Sequence, residues 1–189
     1  MDLFEPQAEA MPPTLDANAD ALKRVARGDP RAFGEVIQAT GTKLFRLAVR
    51  LTGSPHDAED VLQETYLRAL GAARSGEYRG RASVQTWLYR IATNVALDWL
   101  RSRELEVRSA ATTDASEARD ARQLASTELR ELQTELDQLP ADQRLALVLK
   151  ELEGLSSREV AAVLGCSEGA VEQRLVRARA TLRARCERG

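Results

Sequence analysis

The last third of the chain constrains the fold most, because SSREVAAVLGCSEGAVEQRLVRARATLRAR carries two sets of helix start and stop signals around one tight turn. Ser156, with Glu159 three residues on, forms a capping box in which each side chain satisfies the other residue's backbone amide. Gly165 follows the last apolar residue, Leu164, where a helix usually stops with a left-handed residue. Ser167 is placed to cap the next helix. Ala161, Gly165 and Val171 supply, in turn, a small residue at a helix crossing, a flexible turn and an apolar plug. The prediction is a helix-turn-helix whose second helix suits a DNA major groove. Two ordinary helices of a bundle would show the same caps. Charge favours the first reading: beyond Ser167 come Arg174, Arg177, Arg179, Arg183, Arg185 and Arg188 against Glu168, Glu172 and Glu187. Guanidinium forks suit phosphate oxygens and guanine edges, and basic helices gain affinity by releasing counterions. A solvated helix face is the plainer account of such a run.

A length of 189 residues leaves room for one large or two small domains, and 43% hydrophobic with 30% charged residues is an ordinary soluble composition. The start, MDLFEPQAEAMPPTLDANAD, has neither a basic opening nor an apolar block, so neither a signal peptide nor a membrane span is expected and the cytoplasm is the expected location. The two cysteines, Cys166 and Cys186, fit no metal spacing or disulfide framework. Cys166 reads as a small apolar residue in the turn, Cys186 as a free thiol. A net charge of −2 argues against coating nucleic acid by bulk charge. The charge is unevenly spread, however, and local patches decide binding. An acidic chain with small basic patches would bind DNA poorly alone, which implies a larger DNA-binding partner.

The first helical block runs from Ala17 to about Glu104. Gly28 ends one helix, and Asp29 with Pro30 opens the next, which carries Phe33, Val36, Ile37, Leu44, Leu47, Ala48 and Leu51 and closes at Gly53. Ser54 and Pro55 repeat the start signal for a helix with Val61, Leu62, Thr65, Tyr66, Ala69 and Leu70 on one face. Its first turn and opposite face hold Asp57, Glu59, Asp60 and Glu64. The helix dipole accounts for acids in a first turn, but Glu64 lies beyond it, and an acidic partner-binding face is the sharper reading. A Gly/Arg-rich loop, ARSGEYRGRAS, leads to a fourth helix with Trp87, Leu88, Ile91, Val95 and Trp99 on one face and Gln85, Tyr89, Arg90, Thr93, Asn94 and Arg101 turned elsewhere. Arg68, Arg74, Arg79, Arg81, Arg90, Arg101 and Arg103 make this a second basic patch interleaved with aromatic rings, as single-stranded nucleic acid requires. At helical spacing Trp87 and Trp99 fit a core better than a stacking platform, which leaves Tyr78, Arg79 and Arg81 as the contact residues. Residues 105–126 read as a flexible linker. A second helical block, 127–189, includes a helix started by Pro140 and ended by Gly154 and then the two motif helices. The expected fold is therefore all-α, two helical domains on a flexible linker, preceded by an acidic, disordered tail over residues 1–16. His56, beside a helix start, fits an exposed or capping role. No nucleophile pair, phosphate loop or metal cluster is evident, so no catalytic residue, metal or cofactor is expected.

Taken together, the acidic helix DAEDVLQETYLRAL, the segment YRGRASVQTWLYRIATNVALDWLRSR and the block LDQLPADQRLALVLKELEGLSSREVAAVLGCSEGAVEQRLVRARATLR resemble, in order, three elements of a bacterial RNA polymerase sigma factor of the small extracytoplasmic-function (ECF) group. The resemblance spans the chain apart from roughly its first fifteen residues and the linker. It implies that Asp57, Glu59, Asp60, Gln63 and Glu64 dock on the clamp helices of core RNA polymerase. It implies that Tyr78, Arg79, Gly80, Ala82, Ser83, Arg90 and Asn94 lie against the minus-ten promoter element and accept a flipped non-template base, which selects sequence because flipping costs a few kcal/mol. Ser167, Glu168, Gly169 and Ala170 would begin the helix that reads the minus-thirty-five element, with Glu172, Gln173, Arg174, Val176 and Arg177 on or near its groove side. Arg174 and Arg177 are the foremost candidates for phosphate or guanine contact. Glu172 stands where the group often has a basic residue, and Val84 where it often has an aromatic. An inhibitory anti-sigma partner is also implied. The rival reading is an autonomous helix-turn-helix repressor or activator, which would need neither the acidic helix nor the basic loop.

Overall fold

The computed structural model describes residues 13–80, 82–110 and 127–187, and the elements it contains are helices and their connections. Met1 to Pro12, most of the expected linker and Arg81 lie outside the described residues. The first group comprises α1 (Pro13–Ala26), a 3₁₀ turn (Pro30–Ala32), α2 (Phe33–Thr52), α3 (Pro55–Arg74) and α4 (Val84–Ala110). The second comprises α5 (Thr127–Asp137), α6 (Ala141–Leu147) running into a π-helical turn (Val148–Leu152), α7 (Ser157–Leu164) and α8 (Glu168–Cys186). Among the described residues no helix is long and apolar enough to cross a membrane.

The ends of these helices follow local chemistry. Ser54 caps α3 by accepting from the Asp57 amide (3.3 Å), with Pro55 pre-set at the first helical position. Gly53 ends α2 in the left-handed region, φ 76° and ψ 1°. Three boundaries differ from expectation. Pro13 to Asp16, assigned to the tail, already belong to α1, consistent with proline's fitness for a first turn. Asp29 caps the 3₁₀ turn rather than α2 itself, its carboxylate accepting from the Arg31 amide at 3.2 Å. α4 continues to Ala110, past the expected linker start.

In the first group α2 packs against α1, α3 and α4, and the buried face of α2 is Phe33, Val36, Thr40, Leu44, Leu47, Ala48 and Leu51. Each leucine so buried contributes about 1.5–3 kcal/mol. Ile37, expected on that face, is turned outward. The buried threonines 40, 52, 65 and 93 each donate to the carbonyl four residues back, which lets a hydroxyl sit in an apolar core. In the second group α6 and α7 pack on α8 around Leu145, Leu149, Val160, Val163, Val171, Leu175 and Ala178, all buried.

The two groups also pack on each other, chiefly α7 against α4, and their apolar residues form one continuous core. This corrects the reading of α4. Tyr89 and Thr93, expected to point away from the core, are both buried, because α4 is covered on a second side. Trp87 and Trp99 are half-buried at the core margin.

Candidate nucleic-acid interface

On α3 the residues Ala58, Val61, Thr65, Ala69 and Ala73 turn inward, leaving the acidic residues on the outer side. Glu59, Asp60 and Gln63 are exposed and have no side-chain partner among the described residues. Asp57 and Glu64 are engaged: Asp57 accepts from Arg103 at 3.1 Å, and Glu64 from Arg68 at 2.7 Å. Sequence reasoning missed Leu67, an apolar side chain 57% exposed one turn beyond Gln63 and Glu64. Its signal was a leucine out of register with the 58/61/65/69 row. The outer face of α3 is thus an open acidic stripe with an apolar residue in line, a pattern suited to another helix.

The second basic patch is smaller than its arginine content suggests. Arg68 bridges Glu64 and Asp98, Arg101 lies 3.8 Å from Asp98, and Arg103 pairs with Asp57 while its guanidinium sits 5.0 Å above the Trp99 ring. Arg74, Arg79 and Arg90 remain exposed and without a side-chain partner among the described residues. Tyr78 is half-buried against Trp87, ring centroids 5.2 Å apart, and donates to the Ala82 carbonyl at 3.0 Å; burial holds its hydroxyl above the usual phenol range, so it stays a donor. Gly80 supplies the left-handed residue of the loop, φ 68°. Ala82 is exposed, while Ser83 accepts from the Thr86 amide (3.1 Å) at the entry to α4. Val84 is buried, so it anchors the helix and offers no wall to a base pocket. Arg90 and Asn94 are exposed one turn apart, on the same side of α4.

The C-terminal motif has the expected geometry. The Ser156 hydroxyl accepts from the Glu159 amide (3.2 Å), and the Glu159 carboxylate accepts from the Ser156 amide (2.8 Å) and hydroxyl (2.7 Å). Those bonds hold the Glu159 carboxyl below its ordinary value. Gly165 is left-handed (φ 63°, ψ 37°), Ser167 accepts from the Ala170 amide at 3.2 Å, and Val171 plugs the corner fully buried. Glu168, Gly169, Glu172, Gln173, Val176 and Arg177 form the exposed side of α8, and Ala170 is half-buried behind them.

Two side chains of that set have internal commitments. Glu172 accepts from Ser157 of α7 at 2.6 Å, which fixes its carboxylate beside the turn. Arg174 is turned inward: its Nε lies 3.4 Å from Asp142, and its Nη1 donates to the half-buried Cys166 Sγ at 3.2 Å. Arg179 pairs with Glu151 and Arg185 with Glu135. Arg177 and Arg183 are left without side-chain partners among the described residues. Of the two arginines expected to meet DNA, Arg177 faces outward and Arg174 is engaged within the fold by Asp142 and Cys166. His56 is exposed, and the side chain of Cys186 is outside the described residues.

Comparison with known proteins agrees with this layout. Residues 36–106 match the family described as Sigma-70 region 2, and residues 129–182 the family described as Sigma-70, region 4. The chain is 36% identical to the RNA polymerase sigma-H factor of Pseudomonas aeruginosa, over 88% of this chain and 92% of that one. It is 35% identical to the ECF RNA polymerase sigma factor SigE of Mycolicibacterium smegmatis, over 96% and 70%. Among solved structures it is similar to the sigma factor RpoE of Bartonella quintana, in complex with the anti-sigma factor NepR, at a TM-score of 0.64 and 28% identity, covering 80% of this chain and 94% of that one. A helical pair of domains, an open acidic helix, a basic loop and a helix-turn-helix, in this order and at this level of identity, make the chain a member of the sigma-70 family of RNA polymerase sigma factors, in its ECF group.

Proposed function

We propose that this sigma factor binds core RNA polymerase through the outer face of α3, with Asp60, Gln63 and Glu59 as its polar contacts and Leu67 as its apolar one. Asp57 and Glu64 hold that face in place through Arg103 and Arg68. The loop from Tyr78 to Ser83, with Arg90 and Asn94 of α4, receives the melted minus-ten strand: exposed Arg79 and Arg90 take phosphates, and a base extruded from the stack enters beside the Tyr78 ring. The amino-terminal half of α8 enters the major groove at the minus-thirty-five element, presenting Gly169, Glu172, Gln173, Val176 and Arg177, while α7 crosses the backbone. Residues 17–104 and 127–189 are the two working domains. The chain performs no bond chemistry itself and works in the cytoplasm, where polymerase and promoter DNA meet. An anti-sigma protein, of the general kind seen with the RpoE relative, is its expected inhibitor.

The observation that carries this reading is the open acidic stripe on α3 beside an exposed recognition face on α8 in one chain. An autonomous repressor has no use for the first. Run-off transcription with purified core polymerase tests it. The parent protein yields promoter-dependent product, and Asp60→Lys lowers core association at least about tenfold, a loss of roughly 1.4 kcal/mol, without lowering thermal stability. Tight duplex binding with no polymerase-dependent product would instead establish the repressor reading.

A further inference from the structure

Two carboxylates stand on the exposed side of α8 near its start, Glu168 and Glu172, and a strand of phosphates repels both. Glu168 lies in the first turn, where the helix dipole favours an acid. Glu172 lies a full turn further on, beyond that effect, and it is held from another helix: the Ser157 hydroxyl at the start of α7 donates to Glu172 Oε1 at 2.6 Å. No cation pairs with Glu172 among the described residues. The positions four before and four after it are Glu168 and Val176, and nearby Arg174 is turned to Asp142 and Cys166. Glu172 is therefore an exposed, fixed and unneutralised carboxylate whose second oxygen, Oε2, has no partner among the described residues.

Its place on the helix directs that oxygen. Gly169, Glu172, Gln173 and Val176 follow one another at spacings of three and four, so they share a face, and Glu172 sits in the middle of the half of α8 proposed to enter the groove. Helical side chains lean toward the amino terminus, which carries Glu172 over the turn that holds Gly169. A Cβ on Gly169 would meet nothing within 4 Å, so that turn is open. An ionised carboxylate is an acceptor only. Guanine N7 and O6, or thymine O4, would set acceptor against acceptor, and adenine sets its N7 acceptor beside its N6 amino group. Cytosine alone offers an amino group, N4, with no acceptor next to it on the same base edge. A glutamate free to rotate would lose side-chain freedom on making this contact, whereas one already held by Ser157 has less to lose.

We propose that Glu172 selects a cytosine in the minus-thirty-five element, its Oε2 accepting from the N4 amino group while the Ser157 hydroxyl holds Oε1, and that Ser157 is the positioning residue for this contact. The inference deepens the proposed role of α8 and rests on it. Discrimination here comes largely from exclusion: the charge lowers affinity for every duplex through phosphate repulsion, and only a cytosine at the facing position offsets that loss.

The test assembles core polymerase with the full chain as parent, Glu172→Ala, Glu172→Gln, Ser157→Ala and Ser157→Thr, and selects bound duplexes from a pool randomised over the minus-thirty-five region. Thermal melts check that each variant folds. The parent is expected to fix cytosine at one position of one strand, with about a fivefold or greater loss for any other base there. Glu172→Ala should flatten that position alone, and Glu172→Gln should move it to adenine, whose N6 and N7 an amide matches as acceptor and donor. Ser157→Ala should weaken the cytosine preference about twofold or more, and Ser157→Thr, which keeps the hydroxyl, should retain it. A selected sequence unchanged by Glu172→Ala overturns the proposal, as does a Glu172→Ala effect spread equally over all positions, which would make the carboxylate a general repellent. Undiminished cytosine preference in Ser157→Ala overturns the positioning role. A parent holoenzyme that selects no upstream sequence at all would instead defeat the functional reading, which separates the two failures.

Discussion

Arginines in this molecule divide by partner, and the division decides what each substitution does. Arg177 faces outward without a side-chain partner among the described residues, whereas Arg174, three positions earlier, is spent on Asp142 and Cys166. Arg177→Ala is therefore expected to weaken binding to a minus-thirty-five duplex by about 1–3 kcal/mol and reduce the salt slope by about 1, with little change in melting temperature. Arg174→Ala is expected to do the reverse, losing about 1 kcal/mol of fold stability while the salt slope stays. Salt-dependent fluorescence anisotropy with thermal melts of both variants checks the contrast; equal salt slopes for the two would place both arginines on DNA. Sequence alone could not separate them, because Asp142 lies thirty-two residues away and the inward turn of Arg174 depends on how α6 meets α8.

Helix by helix, what could be read early was what is local. The stops at Gly53 and Gly165 and the caps at Ser54, Ser156 and Ser167 depend on residues within four positions of one another, and all are present. Tyr89 could not be placed, since its burial and its bond to Glu153 depend on a contact across sixty-four residues. Ile37 failed for a related reason: periodicity gives a face, but the width of the buried stripe is set by neighbours. The capping box of α7 makes a pH prediction. The Glu159 carboxyl titrates lower folded than unfolded, where its value is about 4.3, so its contribution is complete above that value and disappears as pH falls through the lowered one. Because Glu159 is exposed, the contribution is at most about 1 kcal/mol. Glu159→Ala should thus destabilise the protein at pH 7, and its difference from the parent should shrink progressively as the pH falls below the unfolded value, as denaturant melts across an acid series would show; a constant difference would mean the carboxylate is not the cause.

For the molecule as a whole, the junction between halves can be probed at a residue that forms no hydrogen bond there through a side chain. Gly53 and Gly76 are both left-handed, φ 76° and 73°, but a Cβ on Gly53 would stand 3.2 Å from Gln133 Nε2 and 3.3 Å from Asp137 Oδ2, while one on Gly76 meets nothing within 4 Å. Both Gly→Ala changes cost about 1 kcal/mol of backbone strain. Only Gly53→Ala should also loosen the contact between halves, seen as faster hydrogen exchange at the end of α2; similar exchange in the two variants would show that the junction yields without cost. The π turn at Val148–Leu152, closed by the Glu153 amide on the Val148 carbonyl at 3.0 Å, has a separate consequence. A π turn holds one residue more than the α turn it replaces. A descendant lacking one codon in this stretch could straighten to ordinary α-helix and leave everything downstream aimed as before. A gap of one residue at this place would spare the direction of the helices beyond it, whereas the same gap in α8 would rotate its exposed face by about 100°.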